Sequence, residues 1–140
     1  DYLEKHKDIY LVFPMHLNPL VRNTAHRVLD GFERKILIEP LEYLEFIAIM
    51  DGAHYIMTDS GGVQEEAPSL GKPTLVLRDT TERPEAIEAG TAKLTGTKYE
   101  DVIKDMELLE GEAYEKMSKA NNPYGDGKTS ERIRKYLETI

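Results

Sequence analysis

The chain has 140 residues, 31% of them charged, with a net charge of -8 at pH 7 and no cysteine. That length supports one domain with a real core and not two, and the negative charge argues against a nucleic-acid backbone as partner, so any bound phosphate must be held by local amides and a few chosen basic side chains. The absence of cysteine removes disulfides, thiolate nucleophiles and zinc fingers and fits a reducing cytoplasm, while no apolar run approaches the roughly 20 residues of a membrane span and no signal peptide is visible.

The opening Asp1-Tyr2-Leu3-Glu4-Lys5-His6-Lys7 lacks a start methionine and reads as the last turns of a helix, as in an excerpt of a longer protein. Ile9-Tyr10-Leu11-Val12-Phe13, closed by Pro14, has the continuous apolar pattern of a strand buried on both faces. Asn18-Pro19 supplies an N-cap followed by proline at the first helical position; Leu20, Thr24 and Val28 continue at helical spacing to a stop at Gly31. Lys35 to Ile38 is a second strand, ended by Glu39-Pro40, and Leu41 to Met50 a second helix with Leu44, Ile47 and Ala48 on one face, stopped near Gly52. Tyr55 to Thr58 is a third strand, and it runs into Asp59-Ser60-Gly61-Gly62 and a short helix that breaks at Pro68 or Gly71. Thr74 to Leu77 is a fourth strand, Pro84 to Ala89 a short helix and Ala92 to Leu94 a brief fifth strand. Tyr99 to Leu109, Glu112 to Ala120 and Thr129 to Ile140 read as helices, the last preceded by a rigid loop, Asn121 to Gly127.

Five short strands separated by helices predict an α/β domain: a Rossmann-like parallel sheet with helices on both faces. Ligands of such sheets bind outside the carboxyl ends of the strands, where His16, Ser60-Gly61-Gly62 and Arg78 to Pro84 emerge. The stretch Thr58 to Ala67 is the centre of this reading. A strand that turns through two glycines directly into a helix presents free amides and the positive end of the helix dipole, which is an anion site. Ser60 can cap that helix and offer a hydroxyl to a phosphate oxygen, and Glu66 lies one turn inside. The plainer alternative is a strand-loop-helix turn with an ordinary N-cap.

Four blocks carry a resemblance. Phe13-Pro14-Met15-His16-Leu17-Asn18-Pro19, the sixteen residues Thr58 to Pro73, Arg78-Asp79-Thr80-Thr81-Glu82-Arg83-Pro84-Glu85 and Asn122-Pro123-Tyr124-Gly125-Asp126-Gly127 stand in the order found in the non-hydrolysing UDP-N-acetylglucosamine 2-epimerases. The resemblance runs from about Asp8 to the C-terminus. It implies the C-terminal half of a GT-B-type protein, in which two Rossmann-like domains hold a nucleotide sugar. The implied activity is interconversion of UDP-GlcNAc and UDP-ManNAc through elimination and re-addition of UDP, which supplies ManNAc units for cell-surface polysaccharide.

By the same resemblance Ser60, Gly61 and Gly62 hold the phosphates, Glu66 the ribose hydroxyls, Phe46 the uracil through its backbone, and Arg83 the diphosphate and hexose. Glu65 would act from behind these residues. His16 matches a histidine of a second, regulatory UDP-GlcNAc site, with a loop histidine holding a local backbone hydrogen bond as the alternative. The family's acid/base carboxylates lie upstream of Asp1, so no catalytic residue is assigned and the isolated fragment is expected to bind UDP without turnover. The expected partners are UDP-GlcNAc or UDP and an N-terminal domain, with a homodimer for the full-length protein. No cofactor or metal is expected, because the carboxylates are spread over different elements.

Three further residue groups have two readings each. His26 and His54 are better explained by packing or exposure than by ligand binding, and Asn122 to Gly127 is either a plain turn or a segment passing close to the nucleotide. The helix from Thr129 is expected to pack back toward the missing domain, leaving Ile133 and Leu137 partly uncovered. A GT-B glycosyltransferase holding a UDP-sugar donor is the competing reading for the whole protein, and a hydrolysing epimerase a nearer one. The Gln64 to Ser69 continuation and the Thr80 to Glu85 block favour the non-hydrolysing family.

Overall fold

The computed structural model describes residues 2–140; the expectation for Asp1 lies outside them. The elements follow the order α1 (Tyr2–Lys5), β1 (Leu11–Pro14), α2 (Pro19–Leu29), β2 (Lys35–Ile38), α3 (Tyr43–Gly52), β3 (Ile56–Thr58), α4 (Gly61–Glu66), a 3-10 turn (Ala67–Leu70), β4 (Thr74–Val76), α5 (Pro84–Glu88), β5 (Ala92–Leu94), α6 (Tyr99–Leu108), α7 (Glu112–Ser118) and α8 (Thr129–Leu137). All strand pairs are parallel, and a helix separates each strand from its successor. The chain divides inside α3 into two compact units, residues 1–47 and 48–140.

In the first unit β1 and β2 pair with Leu11 opposite Lys35 and Pro14 opposite Ile38. The α2 helix starts as its residues dictate: the Asn18 side chain accepts the Leu20 N–H at 2.9 Å and proline occupies the first turn. Its buried side differs from the expected one. Leu20 and Val28 are exposed, and the inward stripe is Val21, Ala25 and Leu29. Both sets have the same spacing of four, and the small side chain of Ala25 fits the close-packed side. On α3 likewise Leu44 is 80% exposed and Met50 is the buried residue, so the expected Leu44-Ile47-Ala48 face is shifted. The β1 strand is open on one face, since Val12 and its partner Ile36 are both exposed, rather than buried on two.

In the second unit β3, β4 and β5 pair in that order, with Thr74 between Ile56 and Ala92. The central strand β4 is wholly buried, as a continuous apolar run flanked by two strands should be. Val76, Ala86 and Ala92 form one core cluster, with Ile87, Leu94 and Tyr124 packed on it. The expected single five-stranded sheet is therefore two sheets among the described residues. The three residues of β3 pair on the β4 side, where the Ile56 N–H donates to Pro73 O and the Leu77 N–H to Thr58 O, both at 2.9 Å. Gly71 ends the 3-10 turn at φ 64 in the left-handed region, and its N–H caps Ala67 and Pro68 carbonyls. That turn, begun by Ala67-Pro68, delivers the chain into β4.

Candidate functional site

The carboxyl ends of β3 and β4 carry the residues of interest in the second unit. Thr58, at the end of β3, is buried, and its Oγ1 accepts the Ser60 N–H at 3.0 Å, which fixes the turn that follows. Ser60 stands at the N-cap of α4 with extended backbone, yet its hydroxyl makes no capping hydrogen bond. This corrects the expected serine cap: the Ser60 carbonyl does the local work instead, accepting from Gln64 N–H at 3.3 Å and from Gln64 Nε2 at 3.1 Å. The hydroxyl stays exposed above the turn, and the amides of Gly61, Gly62 and Val63 have no acceptor within α4, as in the first turn of any helix. With only six residues, α4 offers these local amides rather than a long dipole.

Neither glycine at this turn is required by backbone strain, because neither has a positive φ. A Cβ on Gly61 would meet the Arg83 guanidinium at 3.8 Å, and one on Gly62 the Ser60 hydroxyl at 3.8 Å, both ordinary contacts. What the missing side chains leave is bare backbone beside a hydroxyl and a cation. Arg83 is held there by Glu65: its Nε donates to Glu65 Oε1 in a close ion pair, and its NH1 donates to the Glu82 carbonyl at 3.2 Å. The hydrogen bond that Arg83 donates to Glu65, and then the Glu65 charge, raise the Arg83 pKa further above its already high value, so the guanidinium is a permanent cation.

Two residues that the sequence reading did not single out complete the arrangement. Gln64 is fully buried, and Thr81 donates its hydroxyl to Gln64 Oε1 at 2.7 Å while accepting the Arg83 N–H at 3.0 Å. No local signal marks this contact, which joins residues 17 positions apart. Tyr124 comes to the same edge from the Asn122–Gly127 loop. That loop is set by an Asx-type bond, Tyr124 N–H to Asn122 Oδ1 at 2.9 Å, and by Asn122 Nδ2 donating to Ser69 Oγ at 3.0 Å. The Tyr124 hydroxyl is buried without a hydrogen bond of good geometry. Burial and then the negative charge of Glu85 push its pKa up, partly offset by the nearby Ala86 amide.

The structure thus brings Ser60, Gly61, Gly62 and Arg83 together, with Glu65 behind the guanidinium. Glu66 ends α4 half-buried. Phe46 and His16 belong to the first unit. Phe46 is half-buried in α3, and its N–H is engaged with Glu42 O at 2.9 Å. His16 is exposed and holds the local bond anticipated as its alternative, Nδ1 accepting the Asn18 N–H at 3.1 Å. That bond puts the proton of the neutral ring on Nε2, which remains available outward. His54 stacks on Tyr114 with centroids 4.0 Å apart, a packing role. Ile133 and Leu137 are both more than half exposed on α8. No helix among the described residues is long and apolar enough to cross a membrane.

Comparison with known proteins gives a family for the whole chain. Residues 1–138 match the family model described as UDP-N-acetylglucosamine 2-epimerase. The UDP-N-acetylglucosamine 2-epimerase of Bacillus subtilis is 56% identical over 129 residues, 91% of this chain and 34% of that protein. Among solved structures, a UDP-GlcNAc 2-epimerase from Neisseria meningitidis bound to UDP-GlcNAc matches with a TM-score of 0.90 at 49% identity, covering 99% of this chain and 38% of the other. A UDP co-structure of S. aureus MnaA matches with a TM-score of 0.91 at 47% identity, covering 99% of this chain and 40% of the other. The chain spans about a third of the length of the curated relatives it matches, and its parallel α/β architecture is part of their GT-B-like fold.

Proposed function

The chain belongs to the UDP-N-acetylglucosamine 2-epimerase family, and on that premise we propose that it is the C-terminal, UDP-holding part of an isomerase that interconverts UDP-GlcNAc and UDP-ManNAc. The observation that carries this reading is the convergence of an exposed Ser60 hydroxyl, the Gly61 and Gly62 backbone and the Arg83 cation at the end of β3. These are donors and positive charge with no side chain in the way.

In the proposed reaction a base removes the C2 proton of the hexose. The C1–O bond breaks, its electron pair leaves with UDP, and a 2-acetamidoglucal remains. Protonation of C2 from the other face and return of UDP to C1 give the epimer. The leaving diphosphate gains negative charge as the bond breaks, and preorganised amides, a hydroxyl and a fixed guanidinium stabilise that charge without reorganising. Holding UDP in place keeps it available for re-addition, so the same donors serve both directions. In this reading Glu66 takes the ribose hydroxyls, Phe46 the uracil, and His16 a second, regulatory UDP-GlcNAc. The proton-transferring carboxylates belong to the part of the protein upstream of this chain. The working protein is a cytoplasmic homodimer that supplies ManNAc units for cell-surface polysaccharide.

Incubating the full-length protein with UDP-GlcNAc tests the reading. UDP-ManNAc with little free UDP is the expected result. Release of free ManNAc would instead identify a hydrolysing enzyme, and no turnover without an added acceptor a glycosyltransferase. These 140 residues alone are expected to show no epimerisation.

A further inference from the structure

The site described above consists of two segments far apart in sequence, the glycine turn after β3 and the loop from Thr80 to Arg83 after β4. A directional chain of hydrogen bonds runs between them. The Ser60 carbonyl can only accept, so the end of the Gln64 amide that faces it at 3.1 Å is the NH2 group. The other end is then Oε1, which can only accept, so the Thr81 hydroxyl at 2.7 Å must donate to it. With its proton committed, the Thr81 oxygen accepts the Arg83 N–H at 3.0 Å. Gln64 is 0% exposed, so water cannot replace a lost partner at its amide.

We infer that Gln64 and Thr81 are positioning residues: together they form a strut that sets the Arg83 backbone relative to the glycine turn, while Glu65 orients the guanidinium. This rests on the reading that the turn and Arg83 hold UDP. Neither residue touches the ligand. Thr81 acts through Arg83, and this separates the proposal from mere support of the fold. A general contribution to stability would weaken UDP binding whether or not Arg83 has its side chain, whereas a strut that aims Arg83 has nothing left to aim once the guanidinium is gone.

The experiment is a double-mutant cycle on the full-length protein, read as UDP affinity by calorimetry, with Thr81→Val, Thr81→Ser, Arg83→Ala and the Thr81→Val/Arg83→Ala pair. Thr81→Val exchanges the hydroxyl for a methyl group and is expected to weaken UDP binding about tenfold, the scale of a buried hydrogen bond left unmade. Thr81→Ser is expected to restore affinity to within about twofold, since it keeps the hydrogen-bonding group. In the Arg83→Ala background Thr81→Val is expected to cost little more. If Thr81→Val does not fold, Thr81→Ala closes the same cycle. Unchanged affinity in the single variant, or an equal loss with and without the Arg83 side chain, would overturn the proposal. No UDP binding by the unmodified protein would overturn the reading of the site, and the strut's role with it.

Discussion

Two strand-to-helix turns in this chain look alike in outline and differ in every chemical detail. After β1 the chain reaches α2 through Asn18-Pro19: the Asn18 side chain occupies the Leu20 amide, and proline removes another donor altogether. After β3 it reaches α4 through Ser60-Gly61-Gly62, where the serine does not cap and the glycines leave their amides bare. The first turn is finished, satisfied by its own residues. The second is unfinished, and its first amides stay open to solvent or to an anionic ligand. The ion pairs repeat the contrast. Arg22 on α2 clasps Glu39 with both terminal nitrogens, NH1 to Oε2 at 3.0 Å, and so braces α2 to the end of β2. Arg83 gives Glu65 its Nε and keeps its NH2 over Gly61.

The comparison breaks most visibly if the glycines are filled. Gly62→Val in the full-length protein is expected to weaken UDP binding about a hundredfold, roughly 2.7 kcal/mol. It should leave folding nearly intact, because a Cβ there meets only ordinary contact and the position is exposed, so the γ-carbons have solvent to enter. Calorimetry beside a thermal melt checks both halves. The outcome should invert at Gly71, a glycine required by its φ of 64 and by the Ser118 carbonyl 3.3 Å from where a Cβ would stand. Gly71→Ala is expected to cost about 1–3 kcal/mol of stability, measured by denaturant unfolding, with little direct effect on UDP contacts.

Exchanging the two caps sharpens the point. Asn18→Ala is expected to lose about 1 kcal/mol, seen as faster amide exchange at the start of α2. Ser60→Ala should leave the melt unchanged within about 0.5 kcal/mol and weaken UDP several-fold.

The smallest effect belongs to the brace. The hydrogen bond from Arg22, aided by its charge and opposed by desolvation, holds the Glu39 pKa below its ordinary carboxylate value. A lowered folded pKa contributes stability that is present above the unfolded value, about 4.3, and is lost as pH falls through the folded one. Glu39→Gln is therefore expected to lower stability slightly near neutral pH and to leave it unchanged below the folded pKa, which flattens the acid side of the stability curve. Acid titration followed by circular dichroism is the check.

What the sequence made legible follows from how local the chemistry is. Asn18-Pro19, Gly71 and Ser60-Gly61-Gly62 each state their own turn, and the structure places helix starts and stops at them. The buried side of α2 was not legible, because Leu20-Thr24-Val28 and Val21-Ala25-Leu29 share one spacing and only a packing partner chooses between them. The division into two sheets was likewise hidden, since strand composition does not say which neighbour a three-residue strand will pair with. Glu65 was placed behind the site, and its bond to Arg83 agrees with that. Gln64 and Thr81 were beyond reach, because a hydrogen bond across 17 residues exists only once β3 and β4 lie side by side.

The most direct test of the contrast between the two turns is a UDP titration of the full-length protein labelled with 15N-glycine and 15N-leucine. The account predicts large, saturable shifts of the Gly61 and Gly62 amides, while the Leu20 amide, already held by Asn18, stays in place. Silence at both glycines under saturating UDP, with Leu20 moving instead, would contradict it.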